Sequence, residues 1–164
     1  MKTKDITTIG VLTAISVVIS IIESYFDFIG TAVPGLKLGL ANIVVVFALY
    51  KYNFKTAIGV SLVRVLIVAL IRTGFGFNFF FSLVGAIFSI TVMFLIKKTK
   101  LSVIGVSVIG SVFHSVGQVL VAMIVMKNYS VIYYLPYLLL FSVPTGIFIG
   151  IIAKRLLKYT EKIL

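Results

Sequence analysis

The chain contains no cysteine, which excludes disulfides, thiolate catalysis and Cys-ligated metals. It has a single histidine, His114, and four acidic residues, of which only Glu23 and Asp27 lie away from the chain ends. One histidine and two scattered carboxylates do not close a coordination sphere, so no metal is expected. Paired aspartates one turn apart, which would hold magnesium, are missing, and so is a glycine-rich phosphate loop. Phosphoryl chemistry therefore lacks its usual machinery, and no cofactor is expected. Nucleophilic catalysis would need a base beside a hydroxyl. His114 near Ser111 or Ser115 offers one, but without an evident carboxylate to orient it. The polar inventory suits holding a ligand better than transforming it, so the expectation is a protein that is not an enzyme.

What is abundant is apolar surface. Hydrophobic residues make up 61% of the 164 positions, charged residues 12%, and the mean hydropathy is +1.24. These values lie far outside soluble averages and define a polytopic membrane protein. The length accommodates five or six membrane helices in one bundle and leaves no room for an aqueous catalytic domain. The expected fold is all-α, a single integral membrane domain over residues 1–164, with no internal repeat. A net charge of +11 would suit nucleic acid, but the basic residues sit between apolar runs, where they set orientation. Met1–Asp5 is basic and the first apolar run is not followed by a small-residue cleavage site, so it reads as a retained helix.

The hydropathy pattern predicts spans at about 6–25, 38–50, 56–71, 79–96, 101–126 and 131–153. Lys2, Lys4, Lys51, Lys55, Lys97, Lys98, Lys100, Lys154, Arg155, Lys158 and Lys162 fall on one side of that arrangement, and only Lys37, Arg72 and Lys127 on the other. Eleven against three in short connections predicts that both termini are cytoplasmic. The expected location is a bacterial cytoplasmic membrane.

The pivotal stretch is Pro34-Gly35-Leu36-Lys37-Leu38-Gly39-Leu40-Ala41-Asn42, which runs into Ile43–Tyr50. Proline and glycine stop what precedes them. The apolar part, Leu38 to Tyr50, is thirteen residues, roughly 20 Å as a helix against about 30 Å of hydrocarbon. Such a segment starts inside the membrane or is packed by neighbours at its end. If it starts inside, its first N–H groups and Lys37 face a cavity and form an anion site. The plain alternative is a short helix with a snorkelling lysine.

Arg64 lies within the third apolar run, where an arginine costs about 2.5–3.5 kcal/mol unless it faces protein or water. Pairing with Glu23 and direct ligand contact are equally open. Ser107, Ser111 and Ser115 repeat at i+4, as do His114 and Gln118, which predicts one polar stripe facing the bundle. Lys37, Arg64 and Arg72 can meet negative charge, while Asn42, His114 and Gln118 supply directional hydrogen bonds. Phe75, Phe77, Phe79, Phe80 and Phe81 form an aromatic cluster suited to ordinary packing or to covering a ligand. Gly10-x-x-x-Ala14 and Gly146-x-x-x-Gly150 are close-packing pairs.

The Pro34–Asn42 motif, Ser61-Leu-Val-Arg64, Ser82-Leu-Val-Gly85-Ala, Gly105-Val-Ser-Val-Ile-Gly110 and His114-Ser-Val-Gly-Gln118 together resemble the Gx transporter family. That family is also labelled heptaprenyl diphosphate synthase component I. The likeness spans nearly the whole chain and departs at Ser115, where the pattern more often has asparagine. The family in turn resembles the substrate-binding S components of energy-coupling factor (ECF) vitamin importers. By that resemblance the chain would be a six-helix protein holding a small, anionic or isoprenoid- or vitamin-like ligand near its external side. Gly10 and Ala14 would dock onto an ECF-type transmembrane subunit driven by two ATPase subunits. The other label implies a non-catalytic membrane accessory to a prenyl transferase subunit. A third reading, a purely structural subunit, would leave Arg64 and His114 as internal glue.

Overall fold

The computed structural model describes residues 3–25 and 39–163. Most of the Pro34–Asn42 motif, including Lys37, lies outside the described residues, as does Asp27. Six α-helices follow in order: α1 Thr3–Tyr25, α2 Asn42–Lys51, α3 Phe54–Val68, α4 Phe77–Ile96, α5 Val103–Met126 and α6 Leu135–Ile163. A π-helical turn, Ala69–Thr73, prolongs α3, and a 3-10 segment, Tyr129–Tyr134, leads into α6. Among the described residues there is no strand.

Five helical stretches are long and apolar enough to cross a membrane: Asp5–Tyr25, Phe54–Thr73, Phe77–Ile96, Val103–Met126 and Tyr129–Thr160. The outside of the bundle is correspondingly greasy. Val11, Val18 and Ile22 on α1, and Leu140 and Phe148 on α6, are exposed, a pattern that suits hydrocarbon rather than water. The chain is therefore a multi-pass membrane protein. Of the six expected spans, five are this long among the described residues, and the second, α2, already expected to be short, is the exception. With ten residues it is about 15 Å long, half a hydrocarbon core.

Short as it is, α2 is the centre of the fold. Val44 through Leu49 are each no more than 5% exposed. They pack with Ile90 and Met93 of α4, Val106 of α5, and Ile149 and Ala153 of α6. A helix apolar on all faces is stable only when surrounded on all faces. At its C-terminal end Lys97 Nζ donates to the Leu49 carbonyl at 2.8 Å and lies over the Tyr50 ring. A cation there satisfies an orphan carbonyl and complements the helix dipole. The same contact gathers the basic turns at 51–55 and 97–100 at one end of the bundle.

Glycines set how closely the long helices approach. A Cβ on Gly146 or Gly150 would come within 2.7 Å of the Cα of Val108 or Ile104, so α6 rests on the α5 backbone. A Cβ on Gly117 would meet Gly85 Cα at 3.0 Å, bringing α4 equally close to α5. The serine stripe predicted for α5 belongs to this packing. Ser107 and Ser111 lie under Gly150 and Gly146, and Ser115 Oγ is 2.6 Å from Ser142 Oγ of α6. Ser115, the departure from the family pattern, thus faces α6. Near Pro144, which cannot donate within α6, the hydroxyls of Ser142 and Thr145 donate to the carbonyls of Leu138 and Phe141.

Candidate functional site

At the end of the bundle opposite the basic turns, the start of α2 meets α1, α3, α4 and α5 around a polar cavity of about 70 Å³. That is room for several waters or a group the size of one phosphate, an order-of-magnitude comparison with the ~30 Å³ a water occupies in liquid. Glu23, Asn42, Arg64, Ser82 and His114 line it, with Phe79 as an apolar wall. Three of the predicted site residues, Asn42, Arg64 and His114, are brought together here from α2, α3 and α5.

The local sequence explains the placement. Gly39 takes a positive φ of +68°, a conformation natural to glycine, and turns the chain into α2. The N–H groups of Asn42 and Ile43 then close onto the carbonyls of Gly39 and Leu40 at 2.8 and 3.0 Å. The Leu40 N–H donates to Glu23 Oε1 at 2.9 Å, which ties the start of α2 to the end of α1. Ser16 Oγ reaches the Ala41 carbonyl at 3.4 Å from about two α1 turns before Glu23. Asn42 Oδ1 in turn accepts from Arg64 Nη1 at 3.1 Å.

Arg64 is 7% exposed. Of the two arrangements left open for Arg64, a direct bridge to Glu23 is not the one found: among the described residues arginine holds Asn42 while Glu23 holds the chain at the start of α2. Glu23 still acts on Arg64 through its field. The site therefore balances one positive and one negative side chain at membrane depth. Among the described residues one of its five donors is engaged, by Asn42, and a guanidinium of this kind has capacity for further acceptors.

The remaining predicted residues separate. Arg72 lies in the π turn with its guanidinium 4.6 Å from the centre of the Tyr25 ring, a cation–π contact joining the ends of α1 and α3. The turn closes with Gly74 N–H donating to the Ala69 carbonyl at 2.8 Å, and its Thr73 lines the polar cavity. Gln118, one turn beyond His114, opens instead onto a second cavity beside α4 and the 3-10 segment. The phenylalanine cluster is split in the same way: Phe79 walls the first cavity, and Phe77 and Phe81 the second. Phe75, Phe79 and Phe80 also stack edge to face. Gly10 and Ala14 line an open groove between α1 and α3, and the Cβ position of Gly10 meets nothing within 4 Å. Thr73 is a cavity residue that the sequence reading did not single out, and Ser82 entered it as part of a motif but not as a site residue. The serine could have been paired with Arg64 only by knowing how α3 and α4 are registered.

Fold and site define a class: a multi-pass helical membrane protein with a buried, charge-bearing cavity at one end. A family model described as heptaprenyl diphosphate synthase component I matches residues 12–156, and the chain belongs to that family. No curated protein and no solved structure matches the chain.

Proposed function

We propose that this chain is a non-catalytic membrane subunit that holds the anionic end of an isoprenoid-type ligand for a separate prenyl transferase subunit. Arg64 is the observation that carries the reading. An arginine at membrane depth is expensive, so it is retained for a structural or functional reason. Here it lines a cavity with Asn42 and His114 and leaves donors uncommitted. The family description supplies the isoprenoid chemistry and the second subunit. A cavity of about 70 Å³ suits the charged head of such a molecule rather than its whole length. Arg72, beside Thr73 of the cavity lining, would add positive charge near the entrance. The basic turns would face the cytoplasm and the cavity the opposite side, following the distribution of lysine and arginine.

A second reading, an S-component-like subunit of an ECF-type importer, is favoured by the groove of about 690 Å³ around Gly10 and Ala14. Small residues on an unpartnered helix face suit a second transmembrane protein. Purification in mild detergent, with mass spectrometry of retained small molecules and of co-purifying proteins, decides between the two. A retained prenyl diphosphate that is lost in Arg64→Met, with a prenyl transferase pulled down, supports the first reading. A retained vitamin-like molecule with ATPase subunits supports the second. Turnover of isoprenoid precursors by the chain alone would refute the non-catalytic assignment.

A further inference from the structure

The second cavity plays no part in that reading. It occupies about 640 Å³ between the start of α4, the end of α5 and the 3-10 segment before α6, within the ~300–1,000 Å³ usual for small-molecule sites. It shares no lining residue with the cavity at Arg64. Its walls carry Phe77 and Phe81 from α4 and Tyr133 and Tyr134 from the 3-10 segment, with Asn78, Gln118, Asn128 and Ser130 as polar points. None of the lining side chains is charged.

Gln118 gives this cavity its chemistry. The residue is 6% exposed as a whole, and it lines this cavity from α5. Its amide offers both a donor and an acceptor to whatever enters. The Tyr134 hydroxyl is buried and has no hydrogen-bond partner among the described residues. A hydrocarbon chain would fill the volume but leave the amide unanswered, and an ion would find no counter-charge. Aromatic walls favour a flat ring, through stacked or edge-to-face contacts.

We propose that this cavity is a second ligand site, taking a neutral planar ring whose edge carries an adjacent N–H and C=O to pair with the Gln118 amide. The full chain in lipid nanodiscs, titrated with 2-quinolone and followed by saturation-transfer NMR, tests it. Wild type is expected to bind saturably, and N-methyl-2-quinolone, which lacks the N–H, to bind more weakly. Gln118→Leu should weaken 2-quinolone about tenfold, the scale of a lost hydrogen-bonded pair, and should abolish the preference over the N-methyl compound. Ala122→Trp, which fills the cavity, should remove binding, while Arg64→Met should leave it intact. Absence of saturable binding to wild type would overturn the proposal. So would equal binding of the two quinolones, or binding indifferent to Gln118→Leu. The quinolone pair with Gln118→Leu keeps the test decisive if Ala122→Trp does not fold.

Discussion

Replacing Arg64 by methionine separates a ligand-holding arginine from one that only braces the bundle. The substitution keeps most of the side-chain volume and removes the charge. On the debit side it loses the hydrogen bond from Nη1 to Asn42 Oδ1, about 1.5–3 kcal/mol for a bond to a charged group. Against that, it relieves about 2.5–3.5 kcal/mol of insertion cost for an arginine at the helix centre. Glu23 keeps its own partner, the Leu40 N–H, so it is not stranded. The terms nearly cancel, as is common when a buried charge is exchanged for an apolar side chain of similar size. The ligand-free melting temperature in detergent should therefore stay within about 4 °C of wild type. Geranyl diphosphate should raise the melting temperature of wild type by linkage. Arg64→Met should need about 10–100-fold more of it for the same shift, the equivalent of one charge-assisted hydrogen bond. A ligand-free drop beyond about 10 °C, with geranyl diphosphate affinity unchanged, would refute the reasoning and make Arg64 a structural brace.

Further expected outcomes concern packing and orientation. Gly117→Val forces α4 and α5 apart at Gly85 and should lower the melting temperature by about 4–8 °C, from the ~2 kcal/mol typical of overpacking. Gly10→Leu, with open space at its Cβ, should melt like wild type yet lose any co-purifying transmembrane partner if the α1–α3 groove is a docking face. Ser115→Ala breaks the contact with Ser142 and should shift melting by only about 1–2 °C, since such bonds average about 0.6 kcal/mol inside membranes. The absence of cysteine makes single-cysteine labelling clean. A membrane-impermeant maleimide added to intact cells should label Tyr129→Cys and spare Lys100→Cys, and the reverse pattern would invert the proposed orientation.

Helix identity was legible because hydropathy and charged turns bracket each apolar run, and the brevity of the segment before Tyr50 already marked α2 as unusual. Asn42, Arg64 and His114 stood out because polar side chains inside apolar runs are costly. Their convergence could not be read, since it depends on the register of α2 against α3 and α5. The serine stripe shows why periodicity alone misleads. Residues 107, 111 and 115 share a face, but only the glycines opposite them on α6 reveal that this face is a helix contact. Gln118 shares a spacing with His114 yet opens onto a different cavity, because α4 packs against α5 between Gly85 and Gly117. The π turn at Ala69–Thr73 leaves no sequence signature, because widening one turn at the end of an apolar run does not change the composition by which that run is recognised.

The brevity of α2 also has an electrical consequence. A bilayer under voltage drops its potential across whatever insulating thickness separates the two aqueous phases. Where water fills the pocket at Asn42, that thickness shrinks to the ten residues of α2 and its neighbours, about 15 Å instead of about 30 Å. The local field roughly doubles there, and an elementary charge traversing this stretch does work of about 2.3 kcal/mol per 100 mV. An anion held beside Arg64 would sit on the aqueous side of that drop, so its occupancy should respond little to membrane voltage, whereas any onward movement past α2 would cross nearly the full potential.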